Sequence, residues 1–405
     1  MEIYMVGGAV RDKLLGLPIK DRDWVVVGST PEAMLAQGYT QVGLDFPVFL
    51  HPETKEEYAL ARTERKTAAG YTGFEVHASP DVTLEEDLKR RDLTINAMAL
   101  TLDGHLVDPL NGIRDLQQQL LRHVSPAFIE DPVRVLRVAR FATRLVPLGF
   151  KIADETQALL KEIVAADEVD ALVPERVWAE IERALNEARP SIFFTTLRDC
   201  GALARILPEV DALFGVPQPE HYHPEIDTGI HTMMVLDSAA TLSADPEVRF
   251  AALCHDLGKG NTPRDQWPSH HGHEERGVKL TQSLCKRMRV PKRFQALAVL
   301  VARYHTHCHR AAELRPTTLL KTLESLDVFR RPERLEQFVT ACKADSRGRT
   351  GYETCDYPQA ALFMLAYRVA NAIDIRTIVE QGHHGKALAD EIHAARARAI
   401  KVAIQ

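Results

Sequence analysis

Gly7-Gly8-Ala9-Val10-Arg11-Asp12, followed closely by Asp21-Arg22-Asp23-Trp24-Val25-Val26-Val27-Gly28, is the part of the chain that decides the fold. The apolar run from Trp24 to Val27, closed by a glycine, predicts a buried strand. Side chains alternate along a strand, so carboxylates at i and i+2 point to the same face. Their oxygens then lie close enough to share a hard divalent cation such as Mg²⁺, which prefers oxygen ligands and keeps phosphates in its shell. The Gly-Gly pair lets backbone N–H groups approach an anion, and Arg11 brings positive charge to the same place. Two carboxylates at the mouth of a core strand are costly unless a metal or cations satisfy them. That cost separates this Asp pair from the many found in surface loops. The order of glycine turn, carboxylates and core strand predicts phosphoryl or nucleotidyl transfer from a nucleoside triphosphate.

Outward from this stretch, short apolar runs recur at Ile3–Val6, Val48–Leu50, Tyr58–Leu60 and Ala97–Leu102. They predict a small, mainly antiparallel sheet with helices over residues 1–110. Asp103-Gly104 is a hairpin signal within it. From about residue 111 apolar positions recur at i, i+3 and i+4, so the rest reads as helical and the whole chain as α+β. Gly215 to Pro224, with three prolines, predicts a linker. The expected divisions are 1–110, 111–220, 225–350 and a helical tail over 351–405. A chain of 405 residues accommodates such a division.

Composition narrows the setting. No apolar run reaches the roughly 18 residues of a membrane span, and the N-terminus lacks a signal pattern, so no membrane partner is expected. Six cysteines without C-x-x-C pairs point away from a disulfide framework or zinc finger and towards a reducing cytoplasm. A net charge of −6 means that a polyanion would have to meet local basic patches. Histidine is uneven: ten of the 17 fall between His221 and His309. Two chemistries in two places are therefore expected.

Two further clusters belong with the first. In Glu86-Asp87-Leu88-Lys89-Arg90-Arg91-Asp92-Leu93-Thr94-Ile95-Asn96, Arg90 or Arg91 can reach a triphosphate from the edge of the core. Asp92 can fix a ribose hydroxyl or orient an arginine, and Asn96 can tie down backbone. A solvated charged helix start is the plain alternative. In Glu130-Asp131-Pro132-Val133-Arg134-Val135-Leu136-Arg137-Val138-Ala139-Arg140, Asp131 and Pro132 predict a helix start. Asp131 and Arg134 are i, i+3 neighbours, and Arg137 and Arg140 continue the arginine edge at steps of three. An Asp and an Arg presented together offer an acceptor and donors, which suits the pairing edge of cytosine or adenine. An amphipathic helix with incidental arginines is the alternative here.

Taken in order, Gly-Gly-Ala-Val-Arg-Asp with Asp21-x-Asp23, Arg90-Arg91-Asp92-x-Thr94-Ile95-Asn96 and Glu130-Asp131-x-x-Arg134 resemble the successive motifs of class II tRNA nucleotidyltransferases. These are the CCA-adding enzymes, relatives of bacterial poly(A) polymerases. Pro174-Glu175-Arg176-Val177-Trp178-Ala179-Glu180-Ile181 is similar to their next helical motif. The resemblance implies a nucleotidyltransferase head at 1–110 and a nucleotide-selecting, tRNA-contacting body at 111–220. It implies catalytic Asp21 and Asp23 holding Mg²⁺, and Gly8, Arg11 and Arg91 at the phosphates and ribose. Asp131 and Arg134 would select C or A, with Arg137 and Arg140 adding contacts. CTP, ATP and the tRNA 3′ end are the implied partners of a monomer or homodimer. Glu57 is a weak candidate for a third carboxylate.

In the second half, His231 lies on a predicted helix (229–240), and His255-Asp256 ends another (248–257) before Gly258-Lys259-Gly260. Asp345 lies on a later helix. Imidazoles with carboxylates suit a transition metal better than Mg²⁺ alone. The H…HD…D order resembles the HD phosphohydrolase superfamily, and 225–350 is similar to the HD domain fused to some bacterial CCA-adding enzymes. The resemblance implies His231, His255, Asp256 and Asp345 as ligands of a divalent transition metal such as Ni²⁺. It implies hydrolysis of 2′,3′-cyclic phosphates, 2′-nucleotides or other phosphate esters. Lys259 is a candidate phosphate contact. Of His270, His271, His273, His305, His307 and His309, His305 is the one singled out as an added ligand; spare histidines are expected for most of the rest.

The leading expectation is CCA addition or repair without a nucleic-acid template, joined to a metal phosphohydrolase. A poly(A) polymerase would do the same chemistry, but the HD fusion and the mixed charge of 387–405 argue against it. A nucleotide-sensing phosphohydrolase would not need Asp21 and Asp23, and an RNA-binding module would need neither carboxylate set. Residues after 140 and the basic stretch Lys286–Arg293 are expected to meet tRNA phosphates.

Overall fold

The computed structural model describes residues 1–42, 48–66, 74–221 and 223–404. The chain forms two compact units: Met1–Glu180 with Thr195–Ile206, and Ile181–Phe194 with Leu207–Gln405. The first unit is built on strands β1 (Glu2–Val6), β2 (Asp23–Val27), β3 (Thr40–Val42), β4 (Val48–Leu50), β5 (Glu57–Leu60), β6 (Arg62–Lys66), β7 (Phe74–Ala78), β8 (Ala99–Thr101) and β9 (Leu106–Val107). Seven of them form one sheet in the order β3-β4-β5-β2-β1-β8-β9, while β6 and β7 make a separate hairpin. Every pairing in the large sheet is antiparallel except β2 with β5. The expected mainly antiparallel sheet is present, and the Asp103-Gly104 turn joins β8 to β9.

Alternation along β2 assigns its two faces. Val25 packs with Val6, Ala61, Leu88 and Ala99, whereas Val26 packs on the opposite side with Met34, Phe49 and Leu60. Each fully buried side chain of this size contributes about 1.5–3 kcal/mol, so a one-residue slip would sacrifice both clusters. Asp23, two residues before Val25, therefore takes the Leu88 face. Two polar strand segments, β3 and the β6–β7 hairpin, carry no apolar run and were not expected from the sequence. Beyond residue 111 the first unit is helical apart from two parallel two-residue strands, Leu120–Leu121 and Lys151–Ile152.

The second unit is helical. Its helices Thr228–Leu242, Pro246–Cys254 and Glu333–Arg347 meet through Val235, Ala239, Ala252 and Ala344, small enough for close approach. Helices His273–Arg287 and Lys292–His309 complete the surroundings of the histidine cluster. Helix Pro358–Asn371 is anchored by the fully buried Phe363, whose ring lies 5.9 Å from that of Phe338. All six cysteines are unbridged. Among the described residues, no helix is long and apolar enough to cross a membrane.

Candidate functional site

In the first unit, Gly7 leaves β1 with φ 72° and ψ −138° and turns into helix Gly8–Leu14. A Cβ at Gly7 would stand 3.1 Å from an Arg91 guanidinium nitrogen and 3.8 Å from Asp23 Oδ2. The left-handed turn and this crowding both call for glycine. The turn, Arg91 and Asp23 thereby share one place. β2 starts at Asp23, opposite Val6, so Asp21 stands two residues before the ladder rather than on it. Burial raises the Asp23 pKa; Arg91 opposes that rise and Asp21 adds to it. An all-oxygen pair carrying this mutual repulsion fits a hard cation such as Mg²⁺. Glu57 is the register partner of Asp23 on β5 and is exposed. The groups of three candidate ligands among the described residues all lie in the second unit.

Arg11 sits deeper than its expected phosphate role implies. It is 2% exposed. It donates Nε and Nη2 to Asp12 Oδ1 at 2.9 and 2.8 Å and Nη1 to Asn96 Oδ1 at 2.7 Å. Asn96 Nδ2 donates to Asp92 Oδ1 at 3.0 Å, and Arg137 Nε donates to Asp92 Oδ2 at 2.7 Å. Arg144 closes the other end on Asp12 Oδ2 at 2.8 Å. A line Arg144–Asp12–Arg11–Asn96–Asp92–Arg137 thus joins the helix after the glycine turn to helix Val133–Leu145. Of the two roles open to Asp92, this geometry displays the orientation of an arginine. Burial would raise the Asp92 pKa, but Arg137, Asn96 and the Leu93 N–H hold it far below the usual carboxylate range.

Helix Val133–Leu145 carries the selecting residues. Asp131 Oδ1 accepts the Val133 N–H at 3.1 Å, which caps the first turn, and Arg176 reaches Asp131 Oδ2 at 3.4 Å. Arg134 donates to the carbonyls of Ala127 and Arg90 and lies over the Phe128 ring. Arg140 pairs with Glu180 at 2.5 Å. Arg11, Arg137 and Arg140 all surround the Phe141 ring, at 5.6, 5.5 and 4.3 Å from its centroid. Arg90 and Arg91 both pair with the buried Asp87, at 2.6 and 3.1 Å. In the basic stretch 286–293, Arg287 pairs with Glu209 and Arg293 with Glu182.

The second unit gathers the histidines. His231 Nε2 lies 3.1 Å from Asp345 Oδ1; His255 Nε2 lies 3.1 Å from Asp256 Oδ2 and 3.7 Å from Asp345 Oδ1. His273 and His305 present Nε2 to Asp256 Oδ1 at 3.4 and 3.5 Å. On the outer side, His231 Nδ1 lies 2.9 Å from Glu225 and 3.0 Å from the Gly348 carbonyl. The Nδ1 atoms of His255, His273 and His305 lie 2.7, 3.1 and 3.0 Å from the carbonyls of Ala252, His270 and Val301. An acceptor opposite Nδ1 holds a proton there, so each of these imidazoles turns its Nε2 inward towards the carboxylates, where a bound metal would take the Nε2 lone pair.

Three ligand groups result, two of which share His231: His231 with His255 and Asp345, Asp256 with His273 and His305, and His223 with Glu225 and His231. His255 Nε2 and Asp256 Oδ1 are buried without a hydrogen-bond partner, and a mixed nitrogen and oxygen set fits a divalent transition metal. Burial lowers His273 and His223 to about 4, leaving neutral rings. Burial would also lower His255, but Asp256 and Asp345 raise it to about 9. Lys259 Nζ lies 2.6 Å from Asp256 Oδ2 and donates to Gln218 Oε1 at 2.6 Å.

His305 joins the cluster, and so does His273, which the sequence had left among the spare histidines. The overlooked signal was Gly258. A Cβ there would meet the His273 carbonyl oxygen at 1.9 Å, so only glycine lets the turn after Asp256 lie against that helix. His223 lies within the expected linker and Glu225 adjoins it, so neither was read as a ligand. That segment also supplies Gln218 and the Pro217 carbonyl, which lies 2.8 Å from His270 Nε2. His307 lies against Thr322, and His271 is exposed.

Three family models match successive stretches of the chain. Residues 3–122 match the poly A polymerase head domain, 149–214 the probable RNA and SrmB-binding site of polymerase A, and 228–334 the HD domain. The chain is 65% identical to the multifunctional CCA protein of Thioalkalivibrio sulfidiphilus, covering 99% of this chain and 98% of that one. It is 64% identical to the multifunctional CCA protein of Nitrosococcus oceani, covering 100% and 99%. Among solved structures, the fold is similar to the Bacillus stearothermophilus CCA-adding enzyme in complex with CTP (TM-score 0.64, 21% identity, 99% of this chain and 89% of that one). It is also similar to the Thermotoga maritima CCA-adding enzyme complexed with tRNA (TM-score 0.65, 16% identity, 98% and 87%). With a sheet-based head, a helical body, an HD domain and full-length relatives at this identity, the chain belongs to the family of multifunctional CCA proteins.

Proposed function

We propose that the protein builds or repairs the 3′-terminal CCA of tRNA from CTP and ATP, releasing pyrophosphate and using no nucleic-acid template. The observation that carries this reading is the meeting of the Gly7 turn, Arg91 and Asp23 at the end of β2. Asp21 and Asp23 would hold Mg²⁺, which supplies charge neutralisation to the triphosphate when bound. Arg91 offers its guanidinium to the phosphates, and Gly8 opens the helix N-terminus beside them. Arg11 supports this turn from beneath through Asp12 and Asn96. On helix Val133–Leu145, Asp131 and Arg134 present an acceptor and donors to the base, while Arg137 and Arg140 complete its arginine edge. The helical region after residue 140 and the 286–293 stretch contact the tRNA backbone.

The HD unit hydrolyses phosphoesters: 2′,3′-cyclic phosphodiesters, 2′-nucleotides and phosphomonoesters. The inward-facing Nε2 atoms of His231, His255, His273 and His305 support this reading. His231, His255, Asp256 and Asp345 would hold the metal, such as Ni²⁺, which supplies Lewis acidity when bound. Lys259 holds Asp256 and offers positive charge to a phosphate.

The test is incorporation of labelled CTP and ATP, separately and together, onto tRNA lacking its last three nucleotides. Addition of two C residues and one A, followed by a stop, is expected. Open-ended A addition would establish a poly(A) polymerase instead, and nucleotide binding without incorporation would make the first unit a sensor.

A further inference from the structure

Helix Lys292–His309 carries His305 and His309 one turn apart, so both rings lie on the stripe nearest the HD cluster. His305 turns to Asp256 and His273. His309 is not one of the three ligand groups. Its Nε2 lies 2.7 Å from Asp345 Oδ2, whereas His231 and His255 approach the other oxygen, Oδ1.

The opposite edge of His309 sets it apart from its neighbours. The four converging histidines place Nδ1 against acceptors, but His309 Nδ1 lies 3.0 Å from the hydroxyl of Tyr357. A phenol is protonated near neutral pH and donates to that nitrogen. The imidazole proton then sits on Nε2 and is donated to Asp345 Oδ2. The hydroxyl has the Cys308 thiol as a second neighbour, and Tyr357 is itself 9% exposed. It directly precedes helix Pro358–Asn371, beyond the HD match that ends at residue 334.

We propose that His309 and Tyr357 are positioning residues of the phosphohydrolase centre, an ordered Tyr357–His309–Asp345 line that fixes the carboxylate with Oδ1 towards the metal. This rests on the reading of His231, His255, Asp256 and Asp345 as metal ligands. In this arrangement both residues act through Asp345 rather than on the substrate. Outer partners of this kind typically change metal affinity or activity 10–100-fold.

The experiment uses the full-length protein, stripped of metal and titrated with Ni²⁺ by calorimetry, alongside hydrolysis of a 2′,3′-cyclic nucleotide. His309→Ala is expected to weaken Ni²⁺ binding by about 10–100-fold. His309→Gln, whose amide N–H reaches the place of Nε2, is expected to recover most of the loss. Tyr357→Phe is expected to weaken binding by about fivefold, the worth of one hydrogen bond. All three should retain CCA addition. Unchanged Ni²⁺ affinity in His309→Ala with a raised KM would make His309 a substrate contact and overturn the proposal. A Gln variant no better than Ala would overturn it too. His255→Ala separates the two levels: if it still binds stoichiometric Ni²⁺, the metal-centre reading itself fails.

Discussion

Asp21 and Asp23 differ in placement, one before the β2 ladder and one within it, yet both are assigned to one cation. Asp21→Ala or Asp23→Ala is therefore expected to abolish nucleotide addition while leaving phosphohydrolase activity intact, measured on the same preparation. Retained addition in either variant would remove the metal-pair argument. Asp92 yields a prediction of another kind. Its folded pKa lies below the unfolded value of about 3.9, so the folded state binds fewer protons. The stability from its bonds to Arg137 and Asn96 is full above about pH 4 and is lost as pH falls through the folded value. That contribution is on the order of 2 kcal/mol. Acid titration followed by circular dichroism should show Asp92→Asn less stable than wild type at pH 7, with the gap closing towards pH 2.

Helix Val133–Leu145 is the element on which nucleotide choice would rest. Its buried stripe, including Val135, Leu136, Val138 and Ala142, fixes its rotation. Its arginines are then held from the side by Asp92, Glu180 and the Phe141 ring. Cation–π contacts contribute about 0.5–1 kcal/mol each at exposed sites. Phe141→Leu keeps an apolar side chain of somewhat smaller volume but removes the ring. It should cost about 1–2 kcal/mol of stability, read as a lower thermal midpoint. It should also raise the KM for CTP and ATP more than it lowers kcat, because the arginines lose alignment and no reacting group is removed. An unchanged KM would show that the Phe141 platform is irrelevant to nucleotide binding.

For the whole molecule, two compact units with separate candidate sites predict separable behaviour. A ligand at 100 times its Kd stabilises its own unit by about 2.7 kcal/mol. Differential scanning calorimetry with and without Ni²⁺ should therefore shift one transition upward and leave the other in place. Both transitions moving together would mean that the units unfold as one. His255→Ala should abolish the shift and phosphoester hydrolysis while preserving CCA addition. Much of this plan was present in local sequence. The apolar run Trp24–Val27 predicted a core strand because alternation and burial act over neighbouring residues. The i, i+3 spacing of Asp131, Arg134, Arg137 and Arg140 likewise predicted one edge of one helix. The H…HD…D order, with His255 and Asp256 ending together at a glycine break, implied four metal-ligand candidates through its resemblance to the HD superfamily. By itself, then, the sequence determined the α+β class, the helical second half and two candidate sets of site residues. Tertiary structure alone decided that Arg11 is buried against Asn96, that His273 rather than His271 meets Asp256, and that Tyr357 reaches His309. Those pairings join residues far apart in the chain. They depend on which helices can approach closely, through Gly258 and the small residues of the second core, and on where buried polar groups find partners.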